Sequence, residues 1–267
     1  YDRRSFHYNP DYWLQLPVLS YNLDDGFIAG VDLSFVHNSF KKNPFGQRHN
    51  FTFDYSFGTQ AINFNYIGEY LESVSEWDLL TQVTLRRNRF AFNYFGFGNE
   101  TVNVDPDDLD FNRVRQSKVY AGLHLRKRFS NDDGSFTFGP TIERTRIQNT
   151  PGKFIGDLGG NDLPSNIYED RNYVGFLARF SYESLDQNVD PHRGMKFHLS
   201  YNFETNIENT DFTFGDLSTA FTIYQNLDKK ENLILASQVA YQSIRGDFDF
   251  FQAPTIGGIN NLRGFRE

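Results

Sequence analysis

Apolar and polar residues alternate with a period of two along most of the chain. In the segment FTFDYSF (51–57) every odd position is aromatic, and every even position is Thr, Asp or Ser. The segment MKFHLSYNF (195–203) repeats the alternation with Met, Phe, Leu and Tyr on one side. Such stripes are typical of β-strands with one apolar face, since a helical period of 3.6 would spread the same residues around a helix. The pattern therefore predicts an all-β chain.

We predict about eleven strands, most of them close to the ~9–11 residues of a tilted membrane-spanning strand. The predicted strands are Phe27–Val36, Arg48–Phe57, Ala61–Leu71, Trp77–Arg86, Arg89–Phe95, Val114–Phe129, Ser135–Ile147, Tyr173–Glu183, Met195–Phe203, Phe212–Leu227 and Leu233–Arg245. The tenth strand changes phase between Phe214 and Leu217, which predicts a β-bulge at Gly215. Residues 1–25 are irregular in pattern and contain proline, and we interpret them as a lead-in segment.

The connections between the predicted strands differ strongly in length. The segments 96–113 and 150–172 are long, whereas SNDDG (130–134) is a short turn. Transmembrane barrels have short periplasmic turns and longer extracellular loops, so this asymmetry favours a transmembrane antiparallel β-barrel. The alternative is a soluble sandwich or lipocalin-like barrel, but a soluble barrel of this many strands would have an unfilled interior.

Composition supports strands with one apolar and one wet face. The 267 residues include 29 Phe and 15 Tyr, yet mean hydropathy is only −0.57. The net charge of −8 argues against a nucleic-acid partner, and the absence of cysteine excludes a disulfide scaffold. Six histidines are scattered without metal-type spacing, and the Asp-rich pieces match turns better than a calcium loop. We therefore predict no catalytic, cofactor or metal site within this chain.

Three stretches carry a resemblance to a known family. They are YNLDDGFIAG (21–30), SLDQNVDPHRGMKFHLSY (184–201) and IGGINNLRGF (256–265). In this order and spacing they resemble the BamA-type superfamily of outer-membrane assembly and translocation barrels, also called the bacterial surface antigen family. The resemblance covers residues 27–267 and implies a barrel of about sixteen strands, of which some five would follow this chain.

The resemblance also implies site residues. It assigns the last stretch to a sixth extracellular loop that folds back into the lumen, where the arginine pairs with carboxylates. It assigns the middle stretch to a periplasmic turn between strands eight and nine. The implied sixth-loop residues are Gly257, Gly258, Leu262, Arg263, Gly264 and Phe265, and the implied turn residues are Asp186, Pro191, Arg193 and Gly194.

The first predicted strand is the candidate for a lateral seam. Glycine weakens strand pairing, and a weak seam would let a client strand pair with the free edge by β-augmentation. The candidate seam residues are Gly26, Phe27, Gly30 and Val31, although glycine is also common beside tight turns. On this interpretation residues 1–25 are a periplasmic lead-in and residues 26–267 belong to the barrel, itself a piece of a longer polypeptide.

The expected function is to assist insertion or translocation of polypeptides at the outer membrane of a Gram-negative bacterium. Expected partners are outer-membrane lipid and client or accessory outer-membrane proteins. Two alternatives remain open. The barrel could anchor or secrete a fused calcineurin-like phosphoesterase, as in the Bacteroidota group that the motifs resemble most, or it could be a passive plugged pore.

Overall fold

The chain folds into one antiparallel sheet of eleven strands. The structure is a computed structural model that describes residues 10–22, 25–40, 42–96, 101, 105, 108, 110–157, 163–164, 166–228 and 233–254, without the side chains of 22 and 88–91. The strands are β1 (Tyr12–Asn22), β2 (Gly26–His37), β3 (Gln47–Ser56), β4 (Ala61–Val74), β5 (Trp77–Asn93), β6 (Arg113–Phe129), β7 (Gly134–Ile147), β8 (Arg171–Leu185), β9 (Gly194–Asn206), β10 (Thr213–Asn226) and β11 (Ile234–Gly246). One helical turn, α1 (Phe154–Asp157), and a 3₁₀ turn at Phe250–Gln252 complete the described elements.

Each strand pairs with its neighbours in sequence, so the order in the sheet is the order in the chain. β1 and β11 form the two edges among the described strands. The predicted all-β antiparallel class is therefore confirmed. No helix in the described part of the chain is long and apolar enough to cross a membrane.

The polar face of the sheet is the shielded one. Asp78 and Glu204 are only 1% and 6% exposed, whereas Phe53 and Ile142 on the opposite face are 45% and 58% exposed. A soluble sandwich buries its apolar face, so this arrangement is inverted with respect to a soluble protein. We call the polar side the lumen face and the apolar side the outer face.

β1 was not predicted. Tyr12–Asn22 pairs along its full length with β2, from Tyr12 opposite Val36 to Asn22 opposite Gly26. The prediction of an irregular lead-in is therefore wrong for this segment. Its sequence, YWLQLPVLSYN, has apolar residues on both faces and a central proline, which hides the period of two.

β5 unites two predicted strands. Trp77–Asn93 is continuous, and the predicted turn at Arg87-Asn88 is instead a place where the register towards β6 shifts, between Arg86 and Arg89. Relative to the prediction, the structure has one additional strand, β1, and one strand fewer at β5. The total of eleven is unchanged because the two errors cancel.

The predicted bulge at Gly215 is absent. β10 pairs without a register shift with both β9 and β11. The change of phase arises because Phe214 lies on the lumen face, where it is 5% exposed and packs against Tyr173 with ring centroids 5.9 Å apart. A buried aromatic contact, rather than an extra residue, interrupts the pattern.

The two ends of the sheet carry different connections. Segments 94–112 and 148–170 lie at the same end, together with the segment that follows β11, and we call this the long-loop end. The opposite short-turn end carries the links 130–133 and 186–193. The segment after β11 keeps its predicted end.

Candidate functional site

The predicted seam residues are not at an edge. Gly26, Phe27, Gly30 and Val31 lie in β2, which is flanked by β1 on one side and β3 on the other. The prediction that these residues form the seam is therefore wrong.

The glycines of β2 have local structural roles. Gly26 has a φ of +73°, which a turn between β1 and β2 requires. A Cβ at Gly30 would lie 2.2 Å from the backbone oxygen of Phe53, so a larger residue there would collide with β3. Both glycines serve the turn and the close approach of strands rather than a weak seam.

β1 is the free edge next to the predicted seam. The N–H of Phe57 donates to the carbonyl oxygen of Phe27 at 2.9 Å, so the odd residues of β2 direct their backbone groups towards β3. Backbone groups of successive residues point to alternate sides, so the even residues of β2 bond to β1. By the register of the pair, the even residues of β1 bond to β2. The odd residues Trp13, Gln15, Pro17, Leu19 and Tyr21 therefore direct their backbone groups away from the described sheet.

Pro17 removes one N–H donor at the middle of this free edge. It lies opposite Val31 at a position whose backbone faces outward, so it does not interrupt the ladder with β2. Proline on an edge strand limits uncontrolled pairing with other chains. The edge is thus open for pairing on either side of Pro17 and blocked at Pro17 itself.

The side chains of β1 are apolar on both faces. Leu16, which points to the lumen face, is 51% exposed, and Leu19, on the outer face, is 69% exposed. The interior strands β3 to β10 have mostly polar lumen faces, whose side-chain contacts help to fix their register. β1 is held to the sheet mainly by its ladder with β2, which suits a strand whose partner on the other side changes.

The turn between β8 and β9 is organised by Asp186. Its Oδ1 accepts hydrogen bonds from the backbone N–H groups of Gln187, His192 and Arg193 at 3.0, 3.0 and 3.2 Å. Gly194 has a φ of +130°, where a Cβ would lie 2.2 Å from the oxygen of Ser184. The predicted turn residues are therefore brought together at the short-turn end, between strands eight and nine; their functional role stays a prediction.

The pH dependence of this turn follows from Asp186. Desolvation opposes its ionisation, but the three backbone donors outweigh that effect and hold the pKa of its carboxyl below the ordinary value. A lowered folded-state pKa stabilises the turn above the unfolded value, about 4. The stabilisation is lost as pH falls through the folded-state pKa. Relative to an unfolded reference peptide, we expect the amides of His192 and Arg193 to lose protection from exchange below about pH 4, and Asp186→Asn to remove this pH dependence. Equal pH dependence in both proteins would contradict the assignment.

The segment after β11 turns towards the lumen face and is held there by Asp249. Its Oδ2 accepts from Arg171 Nε at 3.1 Å and from the Tyr173 hydroxyl at 2.9 Å, both in β8, three strands away from β11. Arg171 also donates through Nη2 to Asn166 Oδ1 at 3.1 Å. Asp249 is 4% and Arg171 8% exposed, so this is a buried ion pair. We call it the loop anchor.

Aromatic packing supports the loop anchor. The Phe250 ring lies 4.5 Å from Tyr94 and 5.8 Å from Phe92, both beside the first long connection. The surrounding buried cluster joins the two long connections to β6 and β7. Its members are Tyr94, Val114, Ile147, Phe154, Ile155, Leu163 and Ile167. The long loops and the start of the last segment thus share one hydrophobic core.

The implied sixth-loop residues Gly257, Gly258, Leu262, Arg263, Gly264 and Phe265 lie outside the described residues. The inward path of residues 247–254 agrees with a loop that folds back, but the role of Arg263 stays a prediction.

Sequence reasoning missed the ion-pair network on the lumen face near the short-turn end. Arg126 Nε lies 3.0 Å from Asp78 Oδ2 and Arg126 Nη2 lies 3.1 Å from Glu69 Oε2. Arg128 Nε also contacts Asp78 Oδ2 at 2.9 Å, and Arg48 Nε donates to Glu69 at 2.9 Å. These residues share polar stripe positions in the sequence, but the register alone makes them partners. Among the described residues, no group of three side chains could hold a metal ion.

Comparison with known proteins identifies the family. The Omp85 superfamily domain matches residues 29–267. This chain belongs to the Omp85 superfamily. Among solved structures, the crystal structure of BamA from Haemophilus ducreyi lacking POTRA domains 1–3 has a similar fold. The TM-score is 0.64 and the sequence identity is 14%. The alignment covers 97% of this chain and 46% of that BamA chain, so the Omp85 chain described here spans less than half the length of its structural relative. No curated protein sequence matches it.

Membership of the Omp85 superfamily confirms the resemblance and implies location in the outer membrane. The superfamily is concerned with protein insertion and translocation at that membrane and works with outer-membrane client proteins. It is a non-enzymatic barrel family, which agrees with the expectation that no catalysis occurs within this chain.

Proposed function

We propose that this Omp85 chain forms the lipid-embedded, multi-pass barrel of an outer-membrane protein that inserts or exports polypeptides, and that β1 receives a client strand. The observation that carries the proposal is the free edge of β1, with four outward N–H donors at Trp13, Gln15, Leu19 and Tyr21. Unpaired backbone groups are costly in lipid, so this edge needs a strand partner.

The chemistry of β1 supports exchange of that partner. An extended client segment that adds to a sheet edge gains main-chain hydrogen bonds regardless of its sequence. The apolar side chains on both faces of β1 place few sequence-specific demands on the added strand. Pro17 shortens the uninterrupted ladder, so each added strand is released more easily than from a complete edge.

Cysteine cross-linking in the full-length protein tests the proposal. The chain contains no cysteine, so an introduced cysteine is the only thiol of this chain that can form the cross-link. We expect Gln15→Cys in β1 to form disulfides with cysteines along a client strand during insertion. Val31→Cys in β2 is the matched control, because it lies on the same outer face in the strand that was first predicted as the seam, and it should form none.

Each alternative gives a different result. Client insertion that proceeds without any cross-link to β1, or with equal cross-linking from Val31→Cys, would overturn the proposal. Steady ion conductance without client cross-links would support a passive pore. Phosphoesterase activity that depends on the barrel only for surface display would support the anchor of a fused enzyme.

A further inference from the structure

A groove crosses the outer face of β4 to β7 towards the long-loop end. Its volume is about 450 Å³. Apolar side chains of Ile62, Leu85 and Val119 line it together with the guanidinium groups of Arg87, Arg144 and Arg146. It is therefore an apolar surface bordered by cations on the side of the sheet that faces lipid.

The sheet register places these residues side by side on the outer face. Val119 lies directly opposite Leu85 on β5 and opposite Arg144 on β7. Arg87 lies opposite Ile62 on β4, and Arg146 lies opposite Ser117 on β6. Neighbouring strands are about 4.8 Å apart and alternate residues on one strand about 7 Å apart, so the three arginines spread over roughly 10 Å.

The groove is cationic in an acidic chain. Asp170 is the one acidic residue that lines it, and it accepts a hydrogen bond from Arg144. Arg87 and Arg146 form no ion pair with any residue in the described ranges, although the chain as a whole has a net charge of −8. Arg86 and Lys118 also line the groove, but the register places them on the lumen face, where Lys118 pairs with Glu143. On the outer face, three arginines against one carboxylate leave an excess positive charge of about two, which calls for a ligand with more than one negative charge.

The position in the membrane suggests the class of ligand. An outward arginine is strongly destabilising at the bilayer midplane but costs little near the interface. Arg144 and Arg146 lie within four residues of the carboxyl end of β7, where the long-loop end of the sheet begins. Guanidinium groups bind phosphate bidentately, and the apolar residues beside them can contact acyl chains.

We infer that this groove binds the headgroup of a glycolipid that bears more than one phosphate. The spread of the arginines fits two phosphates at separate positions of a sugar headgroup, whereas phosphatidylglycerol offers one. The site lies on the outer face, away from the β1 edge, and its occupation does not depend on the proposed client function.

Lipid retention in the purified full-length protein tests the inference. We expect the wild type to retain a bisphosphorylated glucosamine glycolipid in native mass spectrometry. The triple variant Arg87→Ala, Arg144→Ala, Arg146→Ala should bind it about tenfold or more weakly, because charge-assisted bonds to phosphate are lost. Arg245→Ala is the matched control: Arg245 is an exposed outer-face residue near the long-loop end of β11, outside the groove, and its variant should bind as the wild type does. Heat-modifiable gel migration shows whether each variant is folded.

Two further lipids separate the sources of phosphate. Phosphatidylglycerol, with one phosphate, should bind the wild type more weakly than the glycolipid and lose less affinity in the triple variant. Equal retention of both lipids by the wild type would overturn the assignment to a glycolipid. Unchanged glycolipid binding in a folded triple variant, or an equal loss in Arg245→Ala, would overturn the groove as its site. Phosphatidylcholine, which is zwitterionic, sets the background.

Discussion

Asp249→Ala is expected to lower the free energy of unfolding by about 3 kcal/mol, because it leaves the buried guanidinium of Arg171 without its counter-charge. The Tyr173 hydroxyl loses its acceptor in the same variant. Denaturant unfolding of the folded, detergent-solubilised protein, followed by the fluorescence of Trp13 and Trp77, measures the change. We also expect the segment after β11 to become accessible to a cysteine-directed label at Phe250→Cys.

Two controls separate the loop anchor from a general effect of charge. Lys127→Ala removes an ion pair with Glu76, whose side chain is 80% exposed, and should leave the free energy of unfolding nearly unchanged because solvent screens the pair. The double variant Arg171→Ala, Asp249→Ala should cost less than the sum of the two single variants, since it leaves no unpaired charge at the anchor. If Asp249→Ala and Lys127→Ala change the free energy of unfolding equally, the segment after β11 is not held by the pair of Arg171 and Asp249.

Proline substitutions in β1 are expected to separate barrel stability from client insertion. Leu16→Pro removes an N–H that faces β2 and should cost about 2–3 kcal/mol, because the carbonyl opposite is left without a donor in an apolar environment. Leu19→Pro removes an N–H that faces the free edge, so it should leave the ladder with β2 intact. It should nevertheless impair client insertion in growth complementation, because the edge then has a second interruption beside Pro17.

Restoring the donor gives the opposite test. Pro17→Val supplies an N–H at the outward position and should strengthen pairing at the free edge, which would slow the release of a client strand in the cross-linking assay. Leu19→Ala is the matched control for Leu19→Pro, because it removes the leucine side chain and keeps the backbone N–H. Equal effects of Leu16→Pro and Leu19→Pro on stability would contradict the alternation of backbone groups along β1.

The period-two pattern predicted most strands because the lipid-facing side of each one is apolar over its whole length. It failed where that contrast is weak or interrupted. β1 is apolar on both faces, so only its pairing with β2 reveals it. The polar run around Arg87 looked like a turn, but β5 continues through it with a shift of register. The change of phase after Phe214 suggested a bulge, because a phenylalanine that faces the lumen is unusual in this chain.

The candidate site was predictable only in part for a related reason. Asp186, Pro191, Arg193 and Gly194 act within one turn, so their order in the sequence is sufficient to place them together. The seam was assigned to Gly26, Phe27, Gly30 and Val31 because the count of strands began one strand too late. Arg171 and Asp249, which are 78 residues apart, carry no local signal of their contact.

The sequence by itself determined the strand class, the apolar outer face and the family motifs, because each depends on neighbours along one strand or one turn. Tertiary structure decided which strand is free, which lumen carboxylate meets which arginine, and where the outer-face arginines gather into one groove. These features depend on register, and in a sheet a shift of one residue moves every side chain to the opposite face. That register is set by side-chain contacts between strands and by the geometry of the turns, which the sequence of one strand does not reveal.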